Sequence, residues 1–266
     1  LSFVPRGMGK TIRSQREWLT VSNAFRFLLL QVRNADDPMR NQEVGCFSRA
    51  FDCREDQIEV FDLLQRGPTV DDLQPFDIVL LGGSGDYSVA EGGSWLNAAL
   101  FAMRELYDLG MPTFASCWGF QAMARAMGGK VVTDPSRAEL GSQTIQITAK
   151  GQVDPLFSGL GTHFAAQMGH QDIVEQLPTG ARLLASTDKV QNQAFCFPGK
   201  LIYCTQFHPE LDRQGLETRL RAYPQYVERI AKLSLPEFFD RHCRDTPEAN
   251  SLLPRFLKLV AQKVKR

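Results

Sequence analysis

The stretch "FASCWGFQAMARAMGG", residues 114–129, decides how this chain is read. An apolar, strand-like run stops at Cys117, with Ala115 and Ser116 before it and Gly119 two residues after, and a helix-like pattern over 119–129, closed by two glycines, begins at once. Small neighbours let the backbone turn sharply from strand to helix, the steric logic of a nucleophile elbow. Such a turn lifts the thiol above the carboxyl edge of a parallel sheet, where ligands bind in open α/β folds. It also places the thiol at a helix N-terminus, whose free N–H groups favour the reactive thiolate. A packed core thiol is the alternative, and the turn alone leaves both open.

Working outward, "FRFLLLQV" (25–32), "QIEVFDLL" (57–64), "FDIVLLGGSGDYS" (76–88) and "MPTFAS" (111–116) read as strands buried on both faces. Helices are expected over 39–51 and 94–109, the second capped by Ser94. This alternation predicts βαβ units and an α/β fold, an open, mostly parallel sheet flanked by helices. The second half is richer in strands, at 142–148, 181–187, 192–199 and 200–210, with a hairpin turn at Pro198-Gly199-Lys200. From 211 the pattern turns helical, with a break at Pro224 and helical spacing of Leu253, Phe256, Leu257, Val260 and Val264. Three regions are therefore expected: a leader over 1–24, disordered or an upstream remnant; a catalytic domain over 25–210; and a C-terminal helical extension over 211–266 packed on it.

A second feature raises the odds that Cys117 acts chemically. "QFHPE" (206–210) follows a strongly apolar strand, and side chains two apart on an extended segment share a side. Glu210 can therefore hold one imidazole nitrogen of His208 while the other faces the thiol, an arrangement of nucleophile, base and orienting carboxylate. The third feature is "LGGSGDY" (81–87), where adjacent glycines let backbone N–H groups approach a ligand. An oxyanion formed by attack of Cys117 needs two donors, and the natural pair is the amide of Gly83, or of a neighbour, with that of Trp118.

Bulk properties narrow the field. Thirty basic residues balance thirty acidic ones, which gives no footprint for nucleic acid or an anionic membrane surface. No apolar run approaches the ~20 residues that span a bilayer. The six cysteines form no CxxC pair, and the four histidines have no zinc-ligand spacing. Reduced thiols, a cytoplasmic location and no bound metal are expected. "GMGKT" (7–11) is not a phosphate loop, because Val4 stands where that motif needs its first glycine. His163 and His242 read as structural or surface residues, and Cys196 and Cys204 as core.

These three features, in this order over about residues 25–210, resemble the class I glutamine amidotransferases with their flavodoxin-like fold. The likeness looks closest to the stand-alone branch similar to the glutaminase domain of GMP synthase, because "MGHQDIVEQLPTGARLLAST" (168–187) also matches. The resemblance makes Cys117 the nucleophile, His208 the general base and acid, and Glu210 its orienting partner. It assigns substrate contacts to Gln121 and to Met168, Gly169 and His170. The implied activity is hydrolysis of glutamine's side-chain amide through a γ-glutamyl thioester, with no cofactor. Since only 56 residues follow Glu210, the ammonia acceptor is expected on a partner synthetase chain. The alternatives are a γ-glutamyl peptide hydrolase with the same triad and a regulatory protein without catalysis. Ala115 stands where the family usually has Gly, Ser84 where it has Pro, and Gly169 where Ser or Asn is frequent.

Overall fold

The computed structural model describes residues 22 and 24–264; most of the expected 1–24 leader lies outside the described residues. Apolar runs of strand length build the centre: β1 (Phe27–Gln31), β2 (Ile58–Asp62), β3 (Ile78–Leu81), β4 (Thr113–Ser116) and, much later, β11 (Ile202–Thr205). These five are parallel neighbours in the order β2-β1-β3-β4-β11. The nine-stranded sheet continues with antiparallel β10 (Ala194–Cys196), β9 (Arg182–Ser186), β6 (Glu139–Ile147) and β7 (His163–His170). A separate antiparallel pair joins β5 (Lys130–Thr133) to β8 (Asp172–Gln176).

Period-two alternation explains why β1 has no polar face. Phe27 and Leu29 enter one core with Phe47, Phe51 and Phe114, while Leu28 and Leu30 enter the other with Leu100, Met103 and Trp118. Helix α1 (Met39–Phe51) covers the first face, and α2 (Leu96–Leu109) and α3 (Trp118–Ala126) cover the second. Helix α2 begins later than expected: Trp95 precedes it without a side-chain cap, so Ser94 is not its cap. The hairpin turn at 198–200 is present, with Gly199 at φ 85° and the Lys200 N–H bonded to Phe197 O.

The C-terminal segment forms α4 (Arg213–Ala222), a short π-helical stretch (Val227–Ala231) after the Pro224 break, α5 (Leu235–His242) and α6 (Leu252–Val264). Helix α6 lies on the first face, where the Phe256 ring meets Phe114 edge-on at 5.4 Å. Leu216, Leu220, Val227 and Phe238 form a third apolar cluster with Cys46 and Leu140. Among the described residues, no helix is long and apolar enough to cross a membrane.

Candidate active site

Register places the chemistry. Ser116 pairs with Thr205 across β4 and β11, and Leu81 pairs with Ala115 across β3 and β4. Three parallel strands thus release Gly82-Gly83, Cys117 and the His208 segment at one carboxyl edge. The Cys117 N–H bonds back to Thr205 O at 2.8 Å, and the His208 N–H to Gln167 O of β7 at 2.9 Å. The far edge of the sheet therefore returns to close the site.

Cys117 adopts φ 50° and ψ −102°, a sparsely populated conformation for a residue with a β-carbon. Such strain costs about 1–3 kcal/mol and persists where the surroundings enforce it. Here Gly119 is part of the enforcement. A β-carbon at Gly119 would lie 2.4 Å from Leu81 Cβ, so only glycine lets the new helix sit this close to β3. The first helical N–H, at Trp118, has no intrahelical acceptor and remains as a donor.

One cavity of about 340 Å³ is lined by Cys117, Trp118, His208, Gly83, Gln121, Met168, Gly169 and His170. Glu210 sits behind His208, its Oε1 2.6 Å from Nδ1, and both side chains are almost dry. Burial opposes charge on His208, but Glu210 and then Cys117 outweigh it, raising the imidazole to about 9. The Cys117 thiol points at the carbonyl of Gly169, 3.9 Å away. Gln121 donates its amide protons to Asp172 O at 2.9 Å and to Gln206 Oε1 at 3.1 Å. Its side-chain carbonyl oxygen is what it can offer a ligand.

Two expectations change. The Gly83 N–H is not open in this structure: it donates to Glu43 Oε1 at 3.1 Å. Glu43 is wholly buried and ion-paired with Arg33, with Gln31 as a further donor. Burial works against the Arg33 charge, yet Glu43 and Asp37 outweigh it and hold the guanidinium more firmly protonated than usual. The neighbouring N–H of Ser84 makes no hydrogen bond among the described residues, whereas the Pro usual there has no N–H to offer. His170 lines the cavity, but its Nε2 meets Glu139 at 3.2 Å and its Nδ1 meets Asp172 O at 3.2 Å. Its ring is a tethered wall, not a free polar contact.

Three contributors escaped the sequence reading. Strand β7, which carries Met168 and Gly169, is absent from the expected elements. Glu43 and Arg33 lie far upstream of the glycine loop they touch. The C-terminal segment also walls the cavity with Arg219, Tyr223, Tyr226, Arg229 and Ile230. Tyr226 donates to Gly85 O at 2.9 Å, and Tyr223 to Asp37 at 2.6 Å. Of the four histidines, His163 is exposed on β7, and His242 is exposed and stacks on Phe238.

Comparison with known proteins fits this geometry. Residues 45–220 match the family model for glutamine amidotransferase class I. A GMP synthase (glutamine-hydrolysing) of Clostridium novyi is 36% identical over 109 residues, which cover 41% of this chain and 20% of that protein. One from Xanthomonas axonopodis is 34% identical over 162 residues, 57% of this chain and 30% of that protein. The chain thus spans a fifth to under a third of those relatives. Among solved structures, a glutamine amidotransferase from Thermotoga maritima aligns with a TM-score of 0.69 at 18% identity, covering 90% of this chain and 98% of its own. A glutamine amidotransferase from Methylobacillus flagellatus aligns at 0.64 and 18% identity, covering 89% and 95%. These two likenesses concern the fold.

Proposed function

We propose, from the premise that this chain belongs to the class I glutamine amidotransferase family, that it hydrolyses the side-chain amide of glutamine with Cys117 as nucleophile. The observation that carries this reading is a cysteine on a strained strand–helix turn sharing one cavity with an imidazole held by a buried carboxylate.

The chemistry follows from those positions. The Cys117 thiolate adds to the amide carbon, and the negative oxygen that forms is met by the Trp118 N–H and, with Gly83 engaged by Glu43, by the N–H of Ser84. The imidazolium of His208 gives its proton to the departing nitrogen, releasing ammonia and leaving a γ-glutamyl thioester. Neutral His208 then takes a proton from water, which attacks the thioester and frees glutamate and the thiol. Glu210 holds the ring in the tautomer that both steps need. The side-chain oxygen of Gln121 suits the substrate ammonium. Met168 and Gly169 bring the β7 backbone to the amino-acid end of the substrate. The ammonia passes to a synthetase acceptor site, and the six free cysteines fit a reducing, cytoplasmic setting.

A second reading has one observation in its favour. The cavity, about 340 Å³ in all, is also lined by Tyr223, Tyr226, Arg229 and Ile230, more room than ammonia alone would need. That favours a γ-glutamyl peptide as substrate, cleaved through the same thioester. Purified protein given glutamine, glutathione and γ-glutamyl amides decides between them, with ammonia or amine release followed and Cys117→Ser as control. Release from glutamine alone supports the first reading, and faster cleavage of γ-glutamyl peptides the second. Turnover that survives Cys117→Ser excludes both.

A further inference from the structure

Helix α4 carries a buried cation that no step above uses. Arg219 is 9% exposed, and its Nη1 lies 3.5 Å from Nδ1 of His208. Its Nη2 donates to Gln42 Oε1 at 3.0 Å, and its Nε is buried without a partner. Among the described residues it makes no ion pair, so a guanidinium has been taken out of water without a carboxylate to receive it. That is costly unless the charge serves something.

The same corner holds a second buried polar atom without a partner, Oε2 of Glu210. A β-carbon built on Gly83 would lie 3.2 Å from the His208 ring and 3.7 Å from Nη1 of Arg219, so the cation also abuts the glycine loop. Nδ1 of His208 is already committed to Glu210, so Arg219 meets the ring edge as a charge and not as a second hydrogen-bond donor.

We propose that Arg219 is a positioning residue of this site: it braces the rear of the His208–Glu210 pair and supplies the positive charge that balances the negative ones on Glu210 and Cys117. The inference rests on the catalytic reading of Cys117, His208 and Glu210. When thiolate and imidazolium are present together, Cys117 and Glu210 carry two negative charges, and His208 and Arg219 carry two positive ones. Without Arg219 a nearly dry site holds an unbalanced negative charge. Burial works against ionised Glu210, and His208 and then Arg219 overcome it, holding the carboxyl below its ordinary range.

Other groups face this corner. Cys46 of α1 is pushed up to about 11 by burial and stays neutral. Asp212 caps the start of α4 through the Gly215 N–H. Arg33 is matched by Glu43 and Asp37, and Tyr223 follows on the same segment with its hydroxyl on Asp37.

The test is the pH dependence of Cys117 alkylation by neutral iodoacetamide, read by mass spectrometry of the Cys117 peptide. In Arg219→Met and Arg219→Gln the midpoint is expected to rise by about one pH unit, the lower end of what losing a nearby opposite charge does. Arg219→Lys is expected to keep the wild-type midpoint. Unmoved midpoints in the neutral variants overturn the proposal, as does an equal shift in all three, which would mark a role of shape alone. The Gln variant can still hydrogen-bond Gln42, so the Lys and Gln pair settles the matter if the Met variant does not fold. Alkylation needs no substrate. A chain that alkylates as expected but releases no ammonia or amine therefore counts against the proposed function and not against Arg219.

Discussion

Nδ1 of His208 and Oε1 of Glu210 are 2.6 Å apart, with the imidazole edge beside the cavity that Cys117 lines and the carboxylate behind it. A contact this short between almost dry groups fixes the ring's orientation and its tautomer together. Glu210→Gln keeps the shape of that contact and removes the charge. Amide hydrolysis should fall by about 10²–10⁴-fold, measured as ammonia or amine release under saturating substrate, while the urea midpoint moves far less than the rate.

The same pair predicts a pH dependence of stability. The folded imidazole is raised from 6.5 to about 9, so folding favours its protonated form. The resulting stability is fully present below about 6.5 and is lost as pH climbs through about 9. Thermal melts across this window should show a falling midpoint, and His208→Ala should flatten the slope. An unchanged slope in that variant would place its origin elsewhere.

Tyr226 reaches from the C-terminal segment to the carbonyl of Gly85, two residues past Gly83. Tyr226→Phe removes one hydrogen bond of about 0.5–1.5 kcal/mol. If that energy holds the glycine loop in its working shape, the rate falls about two- to ten-fold with little change in the denaturation midpoint. Steady-state kinetics beside urea titration distinguish this from general destabilisation.

Glu43→Ala strands Arg33 in the interior with Asp37 as its remaining carboxylate partner. Breaking a buried pair from one side typically costs about 3–5 kcal/mol, and urea unfolding should register a loss of that order. Arg33→Met with Glu43→Leu removes both charges and should recover much of it.

What could be read from the sequence was local. The Cys117 turn announces itself through small neighbours, and His208 and Glu210 share a side because they lie two apart on an extended segment. The apolar strands flanking both are continuous runs, which is what burial on both faces demands. Strand β7 stayed hidden because its core-facing Phe164, Ala166 and Met168 alternate with Ala165, Gln167 and Gly169, and Gln167 is buried on that other face through Ser142 and Arg244 O of a distant segment. The lock on Gly83 by Glu43 was equally invisible, since it joins a helix and a loop 40 residues apart through side chains of no distinctive pattern. No local pattern singles out Arg219 among the three arginines of α4 as the one the fold turns inward.

The rung joining Ser116 to Thr205 has a consequence for how this gene can change. A single-codon deletion in either strand would slide Cys117 past the His208 segment and turn inward-facing side chains outward. Lengthening the 178–181 turn, which leads into β9, two strands removed from β11 in the sheet, should leave the chemistry in step. Drift in length is therefore barred from two short ladders and tolerated between them.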